Sequence, residues 1–189
     1  MTPEGIESYG LGLAKEEVRL ARGDAGWFIV ADALTTQIRN HLGVRAAAVE
    51  HIGSTSVPGL LAKPIVDIAV VLAADVSTET AVEVLEDLGY EYRGDAGNAG
   101  GLVFVLSVRP NHRVAHLHVL RPGDEQWDFY LSFRDRLRRD AQARADYENA
   151  KRALVGMYHH DRKAYTDGKD DVVLRLRVAT ADSSADRSS

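Results

Sequence analysis

The stretch EHIGSTSVPGLLAKPIVDIAVV, residues 50–71, decides how the rest of the chain is read. It starts at the end of a short apolar segment (46–52), passes through Gly53, Ser54, Thr55 and Ser56, bends at Pro58-Gly59, and continues as a β-branched run over 65–72. Such a run favours a buried strand. One carboxylate, Asp67, interrupts it, and a charge is expensive to bury without a partner. Glu50 and His51 close the first strand, and Lys63 stands at the entrance of the second. Backbone N–H groups of a Gly/Ser turn can cradle phosphate oxygens while a nearby acid holds a divalent ion against them. The same residues also have a purely structural use: Ser and Thr hydroxyls cap short helices, and a buried Asp bonds backbone donors or a lysine.

Upstream, residues 25–42 place Trp27, Ile29, Val30, Leu34, Ile38 and Leu42 near one helical face and end at Gly43, which predicts a helix. A shorter surface helix is predicted over 13–22, and the Gly-rich segment 1–12 is expected to be loose. Downstream, 76–88 has helical periodicity, with Ser77 or Thr78 as its cap and Gly89 as its stop. A strand begins at Tyr90, followed by a glycine-rich, flexible loop over 94–101. The apolar segments 102–108 and 114–120 flank RPNHR and read as an antiparallel hairpin, which puts His116 and His118 on the same side of their strand. Residues 126–158 carry a long apolar stripe for one or two helices, in which Arg134 and Asp135 read as a structural pair. A last helix or strand spans 170–178, and the polar tail 179–189 is expected to be disordered.

A chain of 189 residues suits one domain, here 13–178, and its 45% hydrophobic and 27% charged content is that of a globular protein. No apolar run reaches the roughly 18 residues of a membrane span, and the N-terminus has no basic start or apolar core of a secretory signal, so the expected location is the cytoplasm. The absence of cysteine excludes disulfides and thiolate metal sites. A net charge of −5 argues against broad nucleic-acid binding, although a local basic patch can still hold a small anion. The oligomeric state is left open.

The turn and the strand after it resemble the signature of the nucleotidyltransferase fold, with Ile52-Gly53-Ser54 followed by Asp67-Ile68. HIGSTSVPGLLAKPIVDIAV, together with RVAHLHVL, FRDRL, Tyr147, Lys151 and YTDGK, is similar more narrowly to the GrpB family. Such domains are also found fused behind dephospho-CoA kinases. The resemblance implies an α+β domain: a mixed sheet covered by helices from both ends of the chain. Active nucleotidyltransferases carry two acids one residue apart and a third on a neighbouring strand. Here Ala69 stands at the second position, and the hairpin strand offers His116 and His118.

Asp67, His116 and His118 are therefore the candidate catalytic residues. With Glu50 they are also candidate ligands for Mg²⁺, Mn²⁺ or Zn²⁺, a two-histidine, one-carboxylate set suiting the softer ions. Gly53, Ser54, Thr55, Ser56, Lys63 and Arg113 are the candidate binding residues for a nucleotide or other phosphorylated metabolite. Two functions are consistent with this set. One is a metal-assisted, nucleotidyltransferase-like group transfer; the other is a non-catalytic accessory module that binds a nucleotide or coenzyme A.

Overall fold

The computed structural model describes residues 3–15, 17–96, 101–159 and 161–185. In chain order the elements are α1 (Pro3–Glu7), β1 (Leu13–Ala14), β2 (Ala21–Arg22), α2 (Ala25–Leu42), β3 (Ala46–Ile52), β4 (Leu61–Ala62), β5 (Val66–Leu72) and α3 (Thr78–Glu86). They continue as β6 (Tyr90–Asp95), β7 (Leu102–Arg109), β8 (His112–Leu120), α4 (Glu125–Arg139), α5 (Ala141–Tyr158) and α6 (Arg162–Ala185). The main sheet runs β3-β5-β8-β7-β6, with β1 added against the start of β8, while β2 and β4 pair separately. β5 and β8 are parallel and every other pair is antiparallel, so the sheet is mixed.

β5 lies inside the sheet, as its composition predicts. Val66, Ile68, Ala69, Val70 and Leu72 are fully buried, and only Asp67 and Val71 keep partial exposure. Alternation along the strand gives the sheet two unlike faces. On one, Val66, Ile68 and Val70 pack with Leu117 and Val119 of β8 against Trp27, Val30, Leu34, Ile38 and Leu42 of α2. The expected helix over 25–42 is thus the cover of the main core. Asp24 caps its first turn by accepting from Gly26 N–H at 2.8 Å, and Gly43 ends it at φ 55°. On the other face stand Glu50, Asp67, His116 and His118. A second apolar cluster, Val57 and Leu60 with Leu137, Ala143, Tyr147 and Val172, ties the chain beyond the GSTS turn to α4, α5 and α6.

Several expectations are corrected. Residues 13–22 do not form a helix; they supply β1, paired Leu13↔Arg113, and β2, paired Ala21↔Ala62. Strand partners offered by the rest of the fold outweigh the weak helical propensity of so short a segment. The segment before it is docked rather than loose: Ile6 and Leu11 are buried, and Gly12 N–H donates to Pro64 O at 2.7 Å. The last element is a helix, and it continues past 178 as far as Ala185. Residues 97–100 of the expected flexible loop and 186–189 of the expected tail lie outside the described residues. No helix among the described residues is long and apolar enough to cross a membrane.

The stripe over 126–158 is split by Asp140. Its N–H still closes α4 through Arg136 O, while its carboxylate accepts from Ala143 N–H at 3.0 Å and starts α5. Asp140→Ala is expected to cost about 1 kcal/mol through loss of that cap. In a chain of this size that lowers the melting temperature by roughly 2–4 °C, which calorimetric scanning would show.

Candidate functional site

The parallel pairing of β5 and β8 sets Asp67 opposite His116 and Ala69 opposite His118. The Asp67 carboxylate and the His116 ring meet at 3.1 Å, Oδ1 to Nδ1. Burial works to raise the Asp67 pKa, but the His116 hydrogen bond and the charges of His116, His118 and Lys169 outweigh it. The carboxyl is held well below the usual carboxylate range. His118 turns instead to α4, where its Nδ1 lies 3.4 Å from the Tyr130 hydroxyl and the two ring centres are 5.4 Å apart. Glu50, opposite Ala69, is engaged by Arg134 at 2.9 Å. Arg134 also bonds Asp135 at 2.8 Å and His51 O at 3.2 Å, so the Arg134–Asp135 pair read from the sequence is present and extends to Glu50.

The GSTS turn is a single 3-10 turn over Ser54–Ser56. Gly53 precedes it at φ 68°, and a Cβ there would sit 2.6 Å from Asp67 Oδ2. Glycine is required both for the backbone angle and for the closeness of turn to acid. Thr55 and Ser56 are buried and their hydroxyls are spent on bracing the turn. Thr55 meets His51 Nε2 at 3.0 Å, and Ser56 Oγ donates to Gly53 O at 2.6 Å. Arg138 grips Ser56 O through Nε at 3.1 Å and Nη2 at 2.8 Å. Of the three hydroxyls, Ser54 is the one met by a cation.

That cation is Lys151 of α5, which is 1% exposed. Its Nζ donates to Leu61 O and to Ser54 Oγ, the latter at 3.3 Å, and lies 4.3 Å from the centre of the Tyr147 ring. Burial pushes its pKa down to about 7; Lys169 and Lys63 push the same way, and Glu148 alone opposes. Glu148 is shared, accepting from Leu61 N–H at 2.8 Å and pairing with Arg22 at 3.3 Å. Lys63 lies over the buried Tyr165 of α6, 5.1 Å from the ring centre. Ser54 is thus bordered by Lys151, with Lys63 and Lys169 near enough to repel it, and with the Asp67–His116 pair behind the turn.

The tertiary structure therefore divides the residues expected at the site. Gly53, Ser54, Asp67 and His116 come together, and Lys63 borders them. His118 stands two register positions along the strand, on the same face. Thr55 and Ser56 brace the turn, and Glu50 is neutralised by Arg134. Arg113 is placed elsewhere, lining a groove of about 500 Å³ with Glu91, Arg93, Ser107 and Arg109 at the hairpin end of the sheet. Among the described residues no three His, Asp or Glu side chains gather in a group that could hold a metal ion. The donor set fits neither a two-metal carboxylate centre nor a two-histidine, one-carboxylate site: position 69 is alanine, Glu50 faces an arginine, and His118 faces Tyr130. Lys151, the residue missed as a binding group, did leave a signal. It falls on the buried stripe Ala143, Tyr147, Lys151, Leu154 of α5, where a lysine is out of place without a task.

The GrpB protein family matches residues 17–177. The chain belongs to the GrpB family. It is 43% identical over 162 residues to a UPF0157 protein of Streptomyces coelicolor, covering 85% of this chain and 83% of that one. A dephospho-CoA kinase of Mycolicibacterium paratuberculosis is 27% identical over 183 residues, 84% of this chain but 44% of the kinase. Among solved structures, the conserved protein GrpB from Enterococcus faecalis superimposes with TM-score 0.70 at 25% identity, over 83% of this chain and 98% of that one. The Cid1 poly(U) polymerase bound to MgGTP superimposes with TM-score 0.51 at 14% identity, over 81% of this chain and 47% of the polymerase. The architecture is nucleotidyltransferase-like.

Asp67→Asn removes the charge that the His116 bond stabilises, at an expected cost of about 1–2 kcal/mol at pH 7. Because the folded-state pKa is depressed, that stabilisation is present above pH ~4, the unfolded carboxylate value, and fades as the pH falls toward the lower folded value. Urea midpoints of wild type and variant are expected to differ at pH 7 and to converge in acid.

Proposed function

We propose that this GrpB-family protein binds a phosphate-bearing small molecule between the GSTS turn and helices α5 and α6, and that the Asp67–His116 pair serves group transfer on that ligand. The observation that carries the reading is Lys151. An ammonium 1% exposed, pushed on by the charges of Lys63 and Lys169 and opposed by the shared Glu148, sits in surroundings that suit a multiply charged anion. Ser54 beside Nζ offers the ligand a hydroxyl, and a phosphate seated there would be bonded by charge-assisted contacts. The carboxylate of Asp67 orients the His116 ring, so that an imidazole can give or take a proton next to the phosphate.

A second reading has its own support. Part of a dephospho-CoA kinase is related to nearly all of this chain, and coenzyme A and its precursor carry a diphosphate. In that case the protein is an accessory module that holds the coenzyme without turnover.

Titration calorimetry with ATP, GTP, CTP and coenzyme A, with and without Mg²⁺, Mn²⁺ or Zn²⁺, tests both. Lys151→Met is expected to weaken binding by about tenfold or more, the scale of one lost charge-assisted contact. Since the unliganded Lys151 pKa is near 7, a bound dianion raises it and takes up a proton. Affinity is expected to fall as the pH rises from about 7 to 9, and the measured heat at pH 8 should vary with the ionisation enthalpy of the buffer. Absence of binding by every ligand, or an affinity indifferent to Lys151→Met, would overturn the site. Turnover lost in Asp67→Asn with binding retained supports transfer, and tight coenzyme A binding without turnover favours the module.

A further inference from the structure

Helix α4 has fifteen residues, and Leu137 is the one that is buried. Yet the stretch from Trp127 to Phe133 carries Trp127, Phe129, Tyr130, Leu131 and Phe133, all left half-buried. A helix that served only to cover the sheet would sink such a stripe into the core. Phe133 packs on the second apolar cluster, and with the rings before it forms a continuous wall. His118 and Tyr130 are 5.4 Å apart between centres, Tyr130 and Phe129 6.0 Å, Phe129 and Phe133 5.9 Å and nearly parallel, and Phe133 and Tyr147 5.4 Å. Tyr147 is in turn the ring beneath Lys151. The wall therefore runs from the polar face of the sheet, beside Asp67 and His116, to the cation under Ser54.

Half-covered aromatic rings at a charged site suit a ligand with a flat apolar body and a polar edge. Tyr130 and His118 add a hydroxyl and a ring nitrogen, which lie 3.4 Å apart and can meet such an edge. We propose that the wall formed by His118, Tyr130, Phe129 and Phe133 receives the base of a phosphorylated nucleoside whose phosphates meet Ser54, Lys151 and Lys169. This rests on the phosphate site described above and narrows its ligands to those with a planar ring.

The test compares ATP and UTP with inorganic tripolyphosphate, which has similar charge and no ring, by calorimetry on the full chain. In wild type the nucleotides are expected to bind about tenfold or more tightly than tripolyphosphate, within the range that stacking on one aromatic ring supplies. Tyr130→Leu should bring the nucleotides down to the tripolyphosphate level while leaving tripolyphosphate affinity within about twofold. Tyr130→Phe, which keeps the ring, should retain most of the preference. Equal wild-type affinities for nucleotide and tripolyphosphate would overturn the base subsite and leave the phosphate site standing. So would a Tyr130→Leu variant that weakens both ligands alike, which marks a structural loss. Failure of all three ligands to bind would remove the phosphate site and this subsite together.

Discussion

A lysine ammonium buried under a serine turn is the interaction on which this structure turns. Removing an ammonium from water costs several kcal/mol even after local relaxation, on the order given for buried ions. Lys151 meets part of that cost through Leu61 O, Ser54 Oγ and the face of Tyr147. Those partners lie on different elements, so the lysine fixes α5 against both ends of the segment that joins the turn to β4. From α4, Arg138 holds Ser56 O and Arg134 holds His51 O. The turn's geometry is thus imposed by side chains more than eighty residues further along the chain.

The same bracing explains why the two faces of the sheet differ so sharply. Beneath α2 the strands present apolar side chains with His51 as the exception, and hydrophobic burial does most of the work. Toward α4 they present Asp67, His116, His118 and Glu50, which can be tolerated because each has a partner or keeps some contact with water. Asp67 pairs with His116, Glu50 with Arg134, and His118 faces Tyr130. His51, pointing to the other side, stays neutral. Its pKa is lowered to about 4, chiefly by burial, with Arg138 and Arg134 assisting and Asp67 opposing. A neutral His51 beside Thr55 keeps the turn braced across the physiological range without adding charge to a region already rich in cations.

Much of the fold was legible in residues 50–71 and in the hairpin. β-branched runs predict β5, β7 and β8, period-two alternation puts His116 and His118 on one side, and an apolar stripe between Asp24 and Gly43 defines α2. The pairing of Asp67 with His116 was not legible, because it depends on β5 and β8 lying parallel and in one register. Arg113 shows the complementary failure. It belongs to the same motif as His116, but the strand carries it away to the hairpin-end groove. Thr55 and Ser56 look like binding hydroxyls in sequence because composition does not reveal which hydroxyl is already spent, on the His51 ring for Thr55 and on Gly53 O for Ser56.

The sequence by itself determined most of the local pieces: the principal strands and helices, the small-residue turn at Gly53, and the one acid that interrupts the central strand. Those properties follow from side-chain volume, periodicity and backbone freedom, all encoded within a few residues. Tertiary structure decided which charges face one another. It gave Glu50 to Arg134, set His116 on Asp67, brought Lys151 of α5 to Ser54, and put the charge of Lys169 within reach of Lys151 and Asp67. Electrostatic character depends on distance and burial, and both are set by packing among segments far apart in the chain. The strand–turn–strand element therefore supplies half of a site, and the helices that follow supply the charge that tells what it can hold.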